Sequence, residues 1–147
     1  MGFFALRTPR DMLEKAHREH ARLAAELNID NVFNFFVTAY HIQDYVRKTA
    51  AVPPAILDAF LQDQDIKDSR DLCDKGKHLR LTRSGRTDPY TTIRTRGALN
   101  TAPLNTLPIN AMEIKWLVHS GSRTFDVQAL ADRVKQKWEQ FFTANGL

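Results

Sequence analysis

Apolar side chains recur at helical spacing from the start of the chain. Met12, Leu13, Ala16, Leu23, Ala24 and Leu27 fall every three or four positions and predict an amphipathic helix. Thr8 can cap its start, Pro9 suits the first helical position, and Asp11 suits the positive end of the helix dipole. Asn28-Ile29-Asp30-Asn31 then breaks the pattern and supplies capping oxygens. A second helix is expected from about Val32 to about Lys48. Its apolar residues, among them Val32, Phe33, Phe35, Phe36, Ala39, Ile42 and Val46, cover most of its circumference, which marks it as central. Pro53-Pro54 restarts the chain into a short helix, Ala55 to about Gln62. A fourth, from about Asp65 to about Leu79, carries Ile66, Ser69, Leu72, Cys73 and Gly76 inward.

Near Leu79 the period changes. Leu79, Leu81 and Arg83 alternate with polar residues before the turn at Ser84-Gly85-Arg86-Thr87-Asp88-Pro89. Tyr90 to Arg96 reads as a strand, 97–110 as a loop, and Met112 to Val118 as a half-buried strand of period two. Ser120-Gly121-Ser122 turns the chain so that Thr124 to Val127 can return as a hairpin partner. Asp126 caps a last helix with Val127, Leu130, Val134, Trp138 and Phe141 on one stripe, and Asn145-Gly146 ends it. The expected fold is mainly α (α+β). It is an antiparallel bundle of about five helices in one domain, 1–147, with a small antiparallel sheet inserted at about 79–127.

Composition agrees with one globular core. The chain has 147 residues, 43% of them hydrophobic and 26% charged, which argues against a disordered tail, a collagen-like fibre and a disulfide scaffold. The single Cys73 cannot form an intramolecular disulfide and suits a reducing compartment. No apolar run reaches the roughly 18 residues that span a bilayer, and the start lacks a charged leader. A cytoplasmic protein with no membrane partner, no metal and no cofactor is expected. Phe3, Phe4, Trp116, Trp138, Phe141 and Phe142 read as core or dimer contacts.

Charge changes the picture. The net charge of +4 is uneven: residues 1–78 sum to −1 and residues 79–147 to +5. Between Lys75 and Arg96 stand Lys75, Lys77, Arg80, Arg83, Arg86, Arg94 and Arg96 against Asp88 alone. Such a run either attracts phosphate backbones or is a solvated basic loop.

Two clusters could carry chemistry. On the second helix Asn34, Thr38, His41 and Tyr45 share a stripe, with Lys48 beside them and Asp44 at its edge. The stripe lines either a polar pocket or a set of buried groups bonded among themselves. On the fourth helix Arg70 and Lys77 lie two turns apart, and Asp74 and Asp71 precede His78 by four and seven residues. Either carboxylate could orient His78. A cation pair beside an imidazole suits a phosphate site, where Arg or Lys holds the anion and His moves a proton. The alternative is a surface helix with ordinary ion pairs. His17 and His20 read as exposed helix positions, and no Gly-rich phosphate loop is present.

The order "FNFFVTAYHIQDYV" (Phe33 to Val46), "RDLCDKGKHLRL" (Arg70 to Leu81), a basic β segment, then a helix with Trp138-Glu139-Gln140-Phe141, resembles a group of uncharacterised bacterial helical proteins. In that group a "TAWHLxDW" helix precedes an "RDxxNxxKH" stretch. The group is distantly similar to the HEPN class of nucleotide-binding helical bundles, many of them dimeric, metal-independent ribonucleases of toxin and defence systems. The resemblance implies Arg70 as phosphate ligand and His78 as acid/base, with Asp71 following the arginine. The Arg70–His78 spacing is longer than in that class, and Asp74 stands where the group commonly has Asn.

Two functions are therefore expected. The first is an RNA- or nucleotide-binding protein with metal-independent ribonuclease activity. Its catalytic residues are His78, Arg70 and Asp74. Phosphate is held by Lys77, Arg80, Arg83, Arg94 and Arg96, beside a pocket of His41, Asp44, Thr38 and Asn34. The second is a non-catalytic interaction or accessory protein, antitoxin-like or a homodimer, with a protein partner.

Overall fold

The computed structural model describes residues 5–84, 86–96 and 113–147. Its elements run α1 (Pro9–Ala25), α2 (Ile29–Lys48), α3 (Pro54–Phe60), α4 (Gln64–Lys77), β1 (Tyr90–Arg96), β2 (Glu113–Ser120), β3 (Arg123–Asp126) and α5 (Val127–Asn145). This is the expected mainly α architecture, with a small antiparallel sheet ahead of the last helix. Phe3, Phe4, Gly85, Met112 and the loop expected over 97–110 lie outside the described residues.

Local signals set most boundaries. Thr8 Oγ1 accepts from Asp11 N at 3.1 Å while Thr8 N donates to Asp11 Oδ2 at 2.8 Å, a reciprocal cap on α1. Asp126 caps α5 by accepting from Ala129 N at 2.8 Å, and Gly146 ends that helix at φ +67°. α2 starts earlier than expected. Asn28 is its cap, accepting from Asn31 N at 2.8 Å, and Ile29 to Asn31 form the first turn. Amide groups of a first turn have no partner within the helix, so Asp and Asn suit that turn rather than break it.

α2 is central, packing against α1, α3, α4 and α5. Its Phe35, Phe36, Ala39, Ile42 and Val46 are fully buried against Leu13 and Leu23 of α1 and against Leu130, Val134, Trp138 and Phe142 of α5. Each large side chain of this kind contributes about 1.5–3 kcal/mol by leaving water. Phe60 of α3 packs on Trp138 and Phe141, with ring centroids 4.6 Å away in both cases. His17 and His20 depart from the exposed positions expected of them. They face α5, His17 Nε2 at 3.0 Å from Glu139 Oε1 and His20 Nε2 at 2.6 Å from Asp132 Oδ1. Helical spacing puts both on the side of α1 that meets α5.

The sheet has the order β1-β2-β3 and is antiparallel throughout. Gly121, at φ +61°, makes the tight turn between β2 and β3. Val118 of β2 joins the helical core, whereas Ile93 of β1 and Ile114 of β2 stand largely in solvent. The alternation expected at Leu79–Arg83 does not become a strand. Residues 78–84 and 86–89 are irregular and Leu79 is 85% exposed. Backbone groups there are satisfied locally: Leu81 N donates to Asp88 Oδ1 at 3.2 Å and Arg86 N to Arg83 O at 3.1 Å.

Candidate functional site

α4 and its cap carry Asp63, Asp65, Asp68, Asp71 and Asp74, and each meets a cation from a later segment. Lys137 of α5 holds Asp63 at 2.6 Å and Asp65 at 2.9 Å, and Arg133 adds to Asp65 at 3.1 Å. Arg123 of β3 grips the buried Asp68 with both amino nitrogens, at 2.8 and 2.5 Å. Arg86 Nη2 bridges Asp71 at 2.6 Å and Asp74 at 2.9 Å. Burial opposes the charge on Arg86, but Asp74 and Asp71 outweigh it and raise its pKa further. Much of the basic excess of the second half is therefore spent on one acidic helix.

Of the expected catalytic residues, Arg70 lies apart from His78 and Asp74. Arg70 donates to Asp71 Oδ1 from Nε at 3.1 Å and from Nη2 at 3.0 Å. The carboxylates expected to orient His78 are instead held by Arg86, and by Arg70 in the case of Asp71. Lys77 reaches α2, its Nζ 2.9 Å from His41 Nε2. A lysine ammonium only donates, so Nε2 accepts and His41 Nδ1–H donates to Val37 O, 2.6 Å away. Asp44 Oδ2 lies 3.9 Å from the same imidazole. The stripe on α2 does not line one pocket. Thr38 is buried toward α1, accepting from Lys15 Nζ at 3.0 Å, whereas His41 faces α4 and Asn34 is exposed.

His78, Asp74, Arg80 and Arg83 do come together. With Leu81, Thr82 and Arg86 they line an open cavity of about 240 Å³ at the end of α4. His78 is the helix cap, its N–H donating to Asp74 O at 2.8 Å. Its backbone, at φ −128° and ψ 70°, leaves the helix there. Asp88 pins the returning chain, accepting from Lys75 Nζ at 2.7 Å as well as from Leu81 N. The inner lining is electrically balanced, because Asp74 faces Arg86, which Asp71, itself held by Arg70, backs from outside the cavity. The rim is not. His78, Arg80 and Arg83 are exposed, and neither arginine is in an ion pair with a described residue. Arg94 and Arg96 stand apart on β1, where Arg94 is exposed.

Two features were not singled out by sequence. Arg86 lay within the basic run, but nothing local marks it as the residue that neutralises Asp71 and Asp74. An apolar groove of about 440 Å³ lies between the start of α2, the end of α4 and the sheet. Phe33, Phe36, Leu72 and Trp116 line it, and its elements are far apart in sequence. Burial pushes the Cys73 thiol up to about 11, against nearby Lys77, so it stays protonated at neutral pH. Among the described residues no group of three or more His, Cys, Asp or Glu side chains is placed to hold a metal. No described helix is long and apolar enough to cross a membrane. Comparison with protein families, curated proteins and solved structures finds no match to this chain.

Proposed function

We propose that the protein binds RNA by its phosphate backbone at the end of α4 and cleaves it without a metal. The observation that supports this best is the open cavity rimmed by His78, Arg80 and Arg83 over a charge-balanced inner lining. Arg80 and Arg83 carry fixed positive charge and a donor fork suited to phosphate oxygens. His78 is the proton-transfer group. It takes the 2′-hydroxyl proton as that oxygen attacks the adjacent phosphorus. The bond to the 5′-oxygen breaks and the leaving oxygen takes a proton from water, giving a 2′,3′-cyclic phosphate and a 5′-hydroxyl; the His78 imidazolium returns its proton to the hydroxide left behind. Asp74 and Arg70 are positioning residues: Asp74 holds Arg86 directly, and Arg70 holds Asp71, the second carboxylate on Arg86.

Cleavage and binding of labelled RNA by purified protein in EDTA tests both parts. With about three phosphate contacts, log affinity should fall against log salt with a slope near −2. Joint Arg80→Ala and Arg83→Ala substitution should abolish most binding. His78→Ala should keep binding and slow cleavage by about 100-fold or more. Unchanged turnover in the His78→Ala variant removes the proton-transfer role. Absence of RNA binding by the wild type at low salt overturns the whole proposal.

The apolar groove favours a second reading, a non-catalytic interaction protein. A stable dimer in light scattering, with no RNA affinity, would establish it.

A further inference from the structure

Resting on the RNA reading, we propose that Tyr90 is a stacking platform for an unpaired base, so that the substrate is single-stranded RNA. The Tyr90 ring lies nearly parallel to the His119 imidazole, with centroids 4.6 Å apart and planes at 17°. His119 is fixed through both ring nitrogens. Nε2 is 2.8 Å from Thr92 Oγ1 on β1, and Nδ1 is 3.0 Å from Thr124 Oγ1 on β3. The imidazole is thus held by all three strands and gives Tyr90 a rigid backing.

Tyr90 itself is 62% exposed. β1 is an edge of the described sheet, and Tyr90 borders the apolar groove. Among the described residues His119 is the ring stacked on Tyr90, which leaves its second face without an aromatic partner. An ordered aromatic ring with one backed face and one open face is the geometry on which nucleobases stack. Bases in a duplex have both faces covered by their neighbours, so only an unpaired base can use it. The setting also suits a nucleotide chain. Tyr90 follows Asp88, the residue that pins the rim of the basic cavity, by two positions. Exposed Arg94 lies four residues along on the same face of β1, about 13 Å away at the rise of a strand. Arg94 is thus a cation placed along the same strand face as the ring, within reach of a nucleotide backbone.

The test uses the full chain and two fluorescent RNA probes of about 12 nucleotides, a length within the site sizes of single-strand binders. One probe is an unstructured single strand and the other a duplex of equal length. Fluorescence anisotropy should show that Tyr90→Ala weakens single-strand binding by about tenfold or more. Duplex binding should not change. Tyr90→Phe should bind as the wild type does, and Tyr90→Leu, which keeps apolar bulk without a π face, should behave like Tyr90→Ala. His119→Ala, which removes the backing, should fall between. Wild-type single-strand affinity in both Tyr90→Ala and Tyr90→Leu would overturn the platform. If Arg80→Ala with Arg83→Ala still abolishes binding, the backbone site survives that outcome. Failure of the wild type to bind either probe would overturn both.

Discussion

At Cys73 burial decides reactivity. The side chain has no exposed surface on α4, and its thiol is pushed up to about 11 by that burial. Native protein should therefore resist a maleimide at pH 8 and react promptly once unfolded in urea, and fast native labelling would contradict this. Asp68 and Arg123 give a second residue-scale case. The Asp68 side chain is only 2% exposed, whereas that of Arg123 is 43% exposed. Removing the arginine leaves a buried carboxylate supported, among the described residues, by Gln64 at 3.1 Å. Arg123→Met should cost about 3 kcal/mol. Asp68→Asn removes the charge and keeps the shape, and should cost about 1 kcal/mol. Urea melts of the two variants give the comparison, and equal losses would show that the buried charge is not what matters.

Among the elements, α2 and α4 meet closely at Phe33 and Gly76. A Cβ on Gly76 would stand 2.5 Å from the Phe33 ring, so Gly76→Ala must displace Phe33 from the apolar groove. Alanine also favours a helix over glycine by up to about 1 kcal/mol. The two effects separate in a double-mutant cycle. Gly76→Ala should destabilise the wild type but stabilise the Phe33→Ala protein, and the same sign in both backgrounds would show that the ring does not confine Gly76. The cycle also marks what a sequence shows at this scale. Thr8 with Asp11, Asp126, and Gly146 act on neighbouring backbone, so the ends of α1 and α5 were legible. The start of α2 was misplaced because Asn and Asp serve equally as caps and as breaks. The strand expected at Leu79 failed because alternation says nothing about whether a partner strand is at hand.

Across the whole molecule, pairing of opposite charges joins distant segments. Burial works against ionisation of Glu19 and Asp65. The hydrogen bonds and charges of Lys15 and Arg22 on the first outweigh it, as do those of Arg133 and Lys137 on the second. Both carboxyls are held below their ordinary values. A carboxyl lowered on folding adds stability above its unfolded pKa and loses it as pH falls through the folded value. Thermal stability should therefore be level near neutrality and drop below about pH 4. Glu19→Gln with Asp65→Asn should flatten that acid limb, and an unaltered limb would assign it to other groups. The same pairing limited what could be read of the candidate site. His78, Arg80 and Arg83 are near neighbours in sequence, and their grouping was legible. The commitment of Arg70 to Asp71, of Lys77 to His41 and of Arg86 to Asp71 and Asp74 depends on how separate segments meet. Cross-strand stacking of Tyr90 on His119 depends on register, which the strand patterns alone do not fix.

The share of the core that α5 supplies has a consequence in time. Val127, Leu130, Val134, Trp138 and Phe142 join the core that α1 and α2 form, and Arg133 and Lys137 of the same helix neutralise Asp63 and Asp65 at the start of α4. Synthesis at about 5–20 residues per second delivers this helix after every other described element. Until it clears the ribosome, the emerging chain presents a bare phenylalanine face on α2 and, at the start of α4, Asp63 and Asp65 without their cations. Assembly thereby waits for α5 to emerge, and in the interval the nascent chain is a natural client for chaperones that hold apolar segments.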